Sequence, residues 1–593
     1  MPRRTLLGLL AVVFALAVPT AVGAEPYEHT TQPTAQGTGG AAASVDSVAT
    51  SAATEVLREG GNAVDAAVAA AAVLGVTEPF SCGIGGGGFM VIRTPDGEVT
   101  TLDSREESPA SMRPDSFFES GSVLTFNNAR YSGLSAGVPG TVDAWNDALR
   151  RYGSWDFESV LAPAIDVARE GFKVDATFAS QITPNIPWFD DIPSTAALYL
   201  DADGTAKDVG SLMRNPDLAD TYERIAELGS RKGFYRGAVA QDMVDAVQHP
   251  PAAATADHVW RRGLMTLEDL EDYRTIKRAP TRVGYRGYDV YSMGPPSSGG
   301  STVGEGLNIL EHIAGYAQMS DADKMHYFLE ASRYAFADRN AFVADPAFFD
   351  VPLAGLLSDS FAAERRALIG PTDPNAQVAP GDPYDDPARS VEPGATFFSP
   401  AQSTTHLTVA DADGMVVSYT FTIESTGGNA IVVPDRGFLL NNELTDFNID
   451  STTHPNSPDG GKRPRSSMAP TYVEHDGRPF LATGSPGGAT IITTVLQILT
   501  ERIDFGRALP QAIADPRGSQ RNPARNAAGN SPTAPEQLFL DQYGAALSAR
   551  GHTFSAPAEI GAATGIELLA EGGMLAAAEP VRRGGGSAQV VDE

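Results

Sequence analysis

The chain has 593 residues, a formal net charge of −31, and 42% hydrophobic and 20% charged residues. That balance is globular and argues against disorder, and the length is enough for more than one core. The acidity argues against nucleic acid as a partner, and it requires local arginines to draw in any anionic substrate against the overall field.

At the N-terminus, Arg3 and Arg4 precede an apolar run from Leu6 to Val18 and the small residues Ala21 to Ala24. This pattern predicts a signal peptide over residues 1–24, too short to span a bilayer, with an arginine pair that suits general or twin-arginine export. The mature protein is expected to be exported, periplasmic or extracellular. Residues 25–43 are polar and rich in Thr, Gly and Ala, and are expected to form a loose leader. A helical pattern from Ser44 to Leu74 is broken at Gly60-Gly61-Asn62, and the alanine-rich part from Ala63 reads as a buried helix. Cys82 is the single cysteine, so no internal disulfide or thiolate metal site is expected. The nine histidines show no ligand spacing, and no metal is expected. Four glycines, Gly85 to Gly88, lead into a strand from Phe89 to Arg93. Helical segments follow at Val160–Arg169, Leu218–Leu228 and Lys324–Ala344.

Between Gly370 and Gln402 neither strand nor helix periodicity is present, and Pro, Asp, Gly and Ser dominate. An exposed connector is expected there. It ends in Ser403-Thr404-Thr405-His406, after which Thr405–Ala410 alternates as a strand. Asp411-Ala412-Asp413-Gly414 makes a turn and Met415–Thr422 alternates again, which predicts a β-hairpin. A threonine hydroxyl is a poor nucleophile without a base. Cutting the chain just before it frees an α-amine that titrates near pH 8 and serves as that base. An exposed loop ending in a Thr at the first position of a strand suits this device. Taken alone, though, Ser-Thr-Thr at such a boundary is common.

The motifs around it resolve the ambiguity. Thr404-Thr405-His406 with its hairpin resembles the start of the small subunit of γ-glutamyltransferases. The runs Asn441 to Phe447, Arg463 to Thr471 and Gly484 to Gly488 continue the pattern in the same order. In the N-terminal half, Gly60 to Ala67, Gly85 to Gly88, Leu102 to Glu106, Val138-Pro139-Gly140 and Pro295 to Gly300 match as well. The resemblance covers nearly everything after residue 24.

It implies an α+β fold, the four-layer αββα N-terminal-nucleophile sandwich, built jointly by a large fragment (25–403) and a small catalytic fragment (404–593) that form a heterodimer. Cleavage would fall between Ser403 and Thr404. Thr404 would then be the nucleophile, Thr422 its hydrogen-bond partner, and Gly487 and Gly488 the backbone oxyanion donors. Arg105, Ser466 and Ser467 would bind the substrate α-carboxylate, and Glu443 and Asp446 would form the acidic side of the pocket, with Asp446 the partner of the ammonium. No cofactor is implied. The reaction would move a γ-glutamyl group from glutathione or a related donor to water, amino acids or short peptides, through an ester on Thr404. Two departures stand out. Glu424 replaces the Asn of many members, placing one more carboxylate by the ammonium, and the segment from Phe447 to Gly461 is shorter than in members with a full lid. Two alternatives remain: a cephalosporin (glutaryl) acylase of the same superfamily, whose substrate lacks the ammonium, and an uncleaved binding protein. The G-x-S-x-G run at Gly133–Gly137 imitates an α/β-hydrolase elbow, but Pro139-Gly140 defers the helix such an elbow needs.

Overall fold

The structure, a computed structural model, describes residues 26–372, 376–384, 403–523 and 533–592. The expected signal peptide and most of the connector before Ser403 lie outside the described residues.

Fourteen strands form two seven-stranded antiparallel sheets. In chain order they are β1 (Thr34–Gly37), β2 (Gly40–Ser44), β3 (Gly87–Arg93), β4 (Val99–Ser104), β5 (Ile276–Arg278), β6 (Thr281–Tyr285) and β7 (Tyr288–Ser292). Then follow β8 (Thr405–Asp411), β9 (Val416–Thr422), β10 (Thr471–His475), β11 (Arg478–Gly484), β12 (Thr564–Leu568), β13 (Met574–Ala578) and β14 (Ser587–Val590). One sheet runs β14-β2-β8-β9-β3-β4-β5 and the other β1-β13-β12-β11-β10-β7-β6.

Strand alternation assigns the layers. Leu407, Val409, Val417, Tyr419 and Phe421 of β8 and β9 pack with helices α1 (Ser47–Arg58) and α2 (Ala63–Thr77). The residues between them, with Ala41, Ala43, Val91 and Ala410, meet Tyr472, Ala482, Ile566 and Ala576 of the second sheet. Beyond that sheet lie α3 (Gly299–Glu311), α4 (Asp321–Phe342) and α5 (Thr490–Ile503), packed on Val283, Val290, Val473 and Leu481. This is the αββα sandwich. Helix α2 is buried along its whole length, as its almost wholly apolar composition requires. Asn62 and Asp65 cap its start reciprocally.

The expected helices, strands and hairpin form, with ends shifted by a few residues; Asp411 accepts from the Met415 N–H at 2.9 Å and Gly414 turns with φ 88°. The expected loose leader is corrected: residues 34–37 and 40–44 are strands, and Ala41–Ala43 are buried between layers. Small side chains let the two sheets approach there, so a composition typical of a loop becomes core. The connector is corrected in part. Its described stretch 376–384 is tied down, with the Gly381 N–H on Asp338 at 2.6 Å and the Val378 N–H on Asn522 at 2.8 Å. Ser135 of the G-x-S-x-G run lies buried in a short 3₁₀ turn, with its hydroxyl spent on the Arg130 and Ser132 carbonyls.

Candidate active site

The antiparallel register gathers distant segments at one end of the sandwich. Thr405 pairs with Phe421, Thr422 with Gly87 and Gly88 with Ser104. The start of β8, the end of β9, the glycine-rich start of β3 and the end of β4 therefore stand side by side, with Arg105 next in line. The facing sheet brings up Gly484, where a Cβ would lie 2.3 Å from His406 Cε1, so only glycine lets the two sheets close here.

Thr404 is 4% exposed and has φ 85°, an uncommon conformation for a β-branched residue that costs on the order of 1–3 kcal/mol. Its hydroxyl donates to Thr422 Oγ1 at 3.0 Å, and Thr422 Oγ1 also accepts from the Glu424 N–H at 2.8 Å. The Ser403 carbonyl, on the bond expected to be cut, accepts from the Gly487 N–H at 3.3 Å. Gly487 and Gly488 have φ 130° and 55°, and their carbonyls bond forward to Thr490 and Ile491 at the start of α5. Their N–H groups are thereby left on the other side, near the positive end of that helix. A cavity of about 490 Å³ opens beside these atoms, lined by Ser403, Thr426, Gly487, Glu559 and Arg583 among others.

Sequence reasoning missed Arg583. It donates to the Thr404 carbonyl at 2.8 Å, and its other nitrogen bonds Glu78 at 2.7 Å and Ser81 at 2.6 Å. No local pattern marks it, because it arrives from 179 residues away. His406, beside Thr404 in sequence, points elsewhere: its ring nitrogens meet Thr420 Oγ1 at 2.8 Å and Thr408 Oγ1 at 3.1 Å. Burial pushes its pKa down to about 3, so it stays neutral.

A charged cluster continues from Glu424. The Glu424 carboxylate accepts from Asn442 and Ser425, and Asn442 precedes the 3₁₀ turn Glu443–Asp446. Arg105 lies fully buried, with one terminal nitrogen on Glu443 and the other on Asp446. Its remaining donors reach the Pro464 and Arg465 carbonyls at 3.1 Å each, which fixes it against the Ser466-Ser467 segment. The expected cationic and anionic poles of the pocket are thus joined to each other. Asp446 is the outermost carboxylate, about a third exposed. Burial pushes Glu424 up to about 7, with the Asp446 charge adding to it, and burial likewise pushes Glu106 to about 7. Burial also raises Glu443, against the pull of Arg105. Neither Glu106 oxygen nor Glu443 Oε2 has a hydrogen-bond partner among the described residues, and a proton on one of the two carboxyls would supply the missing donor.

The short segment after Phe447 is folded down rather than free. Asn456 donates to the Asp446 carbonyl at 2.8 Å and accepts from the Arg465 N–H at 2.8 Å, tying together the two loops that flank Arg105. Among the described residues no group of three or more His, Cys, Asp or Glu side chains could hold a metal ion, and no helix is long and apolar enough to cross a membrane.

The family model for Gamma-glutamyltranspeptidase matches residues 49–589. The chain belongs to the γ-glutamyltranspeptidase family. It is 35% identical over 559 residues to the glutathione hydrolase proenzyme of Escherichia coli (strain K12), covering 91% of this chain and 90% of that protein. With the glutathione hydrolase proenzyme of Bacillus subtilis (strain 168) it shares 38% identity over 478 residues, 78% of this chain and 77% of that one. Among solved structures, a cephalosporin acylase from Bacillus halodurans superposes with TM-score 0.82 at 27% identity, covering 98% of this chain and all of the other. The protein is therefore an enzyme of the γ-glutamyltranspeptidase family, and the likeness to an acylase leaves the donor to be argued from the pocket.

Proposed function

We propose that this chain is a self-processing γ-glutamyltransferase and glutathione hydrolase in which Thr404 is both the processing residue and the nucleophile. One observation carries the reading: the Thr404 hydroxyl is held by Thr422 beside a strained peptide whose carbonyl already bonds a glycine N–H. In processing, Thr404 Oγ1 adds to the Ser403 carbonyl carbon and the oxyanion develops against the Gly487 N–H. The carbon–nitrogen bond then breaks, the Thr404 nitrogen takes the hydroxyl proton, and an ester remains. Water hydrolyses that ester, leaving a Ser403 carboxylate and a free α-amine on Thr404. The left-handed φ favours this step, since part of the strain is released when the bond is cut.

In turnover, the α-amine takes the Oγ1 proton as the oxygen attacks the γ-carbonyl of the donor. It then returns the proton to the departing amine, leaving a γ-glutamyl ester on Thr404. Water, an amino acid or a short peptide resolves the ester. Arg105, Ser466 and Ser467 receive the α-carboxylate, so Arg105 exchanges its bonds to Glu443 and Asp446 for the substrate. Those carboxylates, with Glu424, then face the ammonium. The zwitterion thus substitutes for the internal ion pair, and little charge is left uncompensated.

The same pocket weighs against a glutaryl donor. Such a donor would take Arg105 and leave Asp446, Glu443 and Glu424 without a cation, an arrangement that is costly above all for the buried Glu443. The likeness to a cephalosporin acylase is the observation on the other side. Initial rates on γ-glutamyl-p-nitroanilide and glutaryl-p-nitroanilide decide between them, and faster glutaryl turnover would make the acylase reading the correct one. Denaturing electrophoresis with N-terminal sequencing tests processing: the smaller fragment should begin Thr-Thr-His-Leu. An intact active chain would overturn it. Residues 1–24 are proposed to be removed on export, with 25–403 and 404–593 as the two fragments.

A further inference from the structure

Arg339, on α4, is a buried guanidinium that the mechanism above does not use. It is 4% exposed, and its three nitrogens meet only neutral oxygens: Ser298 Oγ at 2.8 Å, Asn340 Oδ1 at 2.9 Å and Ser467 Oγ at 2.7 Å. It forms no ion pair with a carboxylate among the described residues, and Asp446 acts on it only through space. After burial, the strongest influence on it is another cation, Arg465; the Asp446 carboxylate follows, and Arg521 and Arg105 come after it. Arg465 is itself buried, with Nη1 directed at the backbone carbonyls of Arg339, Asn340 and Val343. Burial and this company press the Arg339 guanidinium towards neutrality. A buried charge of this kind is costly unless a counter-ion arrives.

The hydrogen-bond directions say where that counter-ion would sit. Arg339 can only donate, so Ser467 Oγ accepts from it and the Ser467 hydroxyl proton is left for another partner. Ser466 Oγ likewise accepts from the Met468 N–H at 3.1 Å, and its proton is also uncommitted among the described residues. Ser298, which Arg339 holds through Nε, donates its own hydroxyl to the Ser466 carbonyl at 2.5 Å. One guanidinium on the large fragment thus governs both serines of the small fragment, directly and through Ser298.

We propose that Arg339 is a positioning residue for α-carboxylate recognition: it forces the Ser467 hydroxyl to present its proton to the substrate, and the carboxylate, one hydroxyl away, becomes its counter-ion. This deepens the γ-glutamyl reading and rests on it. A planar group with several donors suits the role, because Ser298, Asn340 and Ser467 are engaged at once.

The test compares native enzyme, Arg339→Met, Arg339→Lys, Ser467→Ala and the Arg339→Met/Ser467→Ala double variant. Two substrates are used: γ-glutamyl-p-nitroanilide and 4-aminobutanoyl-p-nitroanilide, which keeps the ammonium but lacks the α-carboxylate. Cleavage into two fragments and the melting temperature are read alongside. Arg339→Met should raise KM for the γ-glutamyl anilide by about tenfold or more with kcat within about threefold, a loss of ground-state binding. Its kcat/KM on the 4-aminobutanoyl anilide should stay at the native value. In the double variant, the Arg339 change should add less than about twofold to the effect of Ser467→Ala, since the two act as one unit. Equal losses on both anilides, or an unchanged γ-glutamyl KM, would overturn the proposal. If Arg339→Met is not processed, Arg339→Lys carries the test, because an ammonium cannot hold all three oxygens in the same geometry; a native KM in that variant is equally fatal. Should the native enzyme prefer glutaryl-p-nitroanilide, the γ-glutamyl reading falls by itself. The KM of Arg339→Met for that substrate, which keeps the carboxylate, then decides the role of Arg339.

Discussion

Replacing Asp446 by Asn separates the two substrate readings, and the structure sets the expected size of the effect. Asp446 is the outermost carboxylate of the pocket and bonds one terminal nitrogen of Arg105. If it meets the donor ammonium, the substitution removes a charge-assisted contact of about 1.5–3 kcal/mol. That corresponds to a fall of about ten- to 150-fold in kcat/KM for γ-glutamyl-p-nitroanilide. The Arg105 side behaves in the opposite sense. Its nitrogen keeps the Arg465 carbonyl at 3.1 Å but loses an anionic competitor, so carboxylate binding should hold or improve. Glutaryl-p-nitroanilide, slow on the native enzyme, should therefore be unchanged or faster on Asp446→Asn. Four progress-curve series, two enzymes against two substrates, give the result. Equal losses on both substrates would show that Asp446 only supports the loop, and the assignment of the ammonium site would be wrong.

The remaining expectations follow from the same geometry. Thr404→Ala should stay a single, inactive chain on a denaturing gel, whereas Thr404→Ser should still be cut. Gly487→Ala places a Cβ 2.7 Å from Thr490 Oγ1 at φ 130°, and the displaced N–H should slow both cleavage and turnover, by about 10²–10³ for a lost oxyanion donor, with a pulse-chase of processing as the check. Glu424, with a pKa of about 7, should make KM for γ-glutamyl donors fall as pH rises through that value, because only the carboxylate attracts the ammonium. The sign for stability is the reverse. A carboxyl raised in the folded state binds its proton more tightly than when unfolded, so its contribution is full below the ordinary 4.5 and is lost as pH rises through about 7. Glu424→Gln should flatten both the KM profile and the corresponding slope of melting temperature against pH. His406→Ala should alter packing against Gly484 while leaving the pH dependence of acylation in place, and loss of that ionisation in a cleaved variant would contradict the α-amine base.

Local chemistry makes much of this protein legible in its sequence. The hairpin from Thr405 to Thr422 was visible because alternation and an Asp-Gly turn depend only on neighbours in the chain. Helix α2 declared itself by an apolar run too long for a strand. The motifs holding Thr404, Arg105, Asp446 and Gly487-Gly488 each carry their own glycine, proline or charge signature, and the family resemblance that their order carries implies the αββα sandwich. The reading of residues 25–43 as a leader failed for a physical reason. A strand made of Gly, Ala and Ser, such as Gly40–Ser44, has no hydrophobic signal of its own, and it becomes core only because two sheets close over it.

Tertiary structure alone decided the electrostatics. Arg105 and Asp446 read in sequence as separate contacts for opposite ends of a substrate, yet folding joins them in one ion pair across 341 residues. The resemblance places Glu424 by the ammonium and Glu106 in a matched motif, but only the fold shows that burial raises both to about 7. Arg583 and Arg339 have no local signature, since a guanidinium acquires meaning from what lies within hydrogen-bond reach, and the partners that tie them to the site, Thr404 and Ser467, are 179 and 128 residues distant. Periodicity and turn chemistry are properties of adjacent residues, so the sequence by itself determined the elements and the order of the motifs. Charge pairing, desolvation and the strain at Thr404 are properties of what folding brings close, and only the packed sandwich determines them.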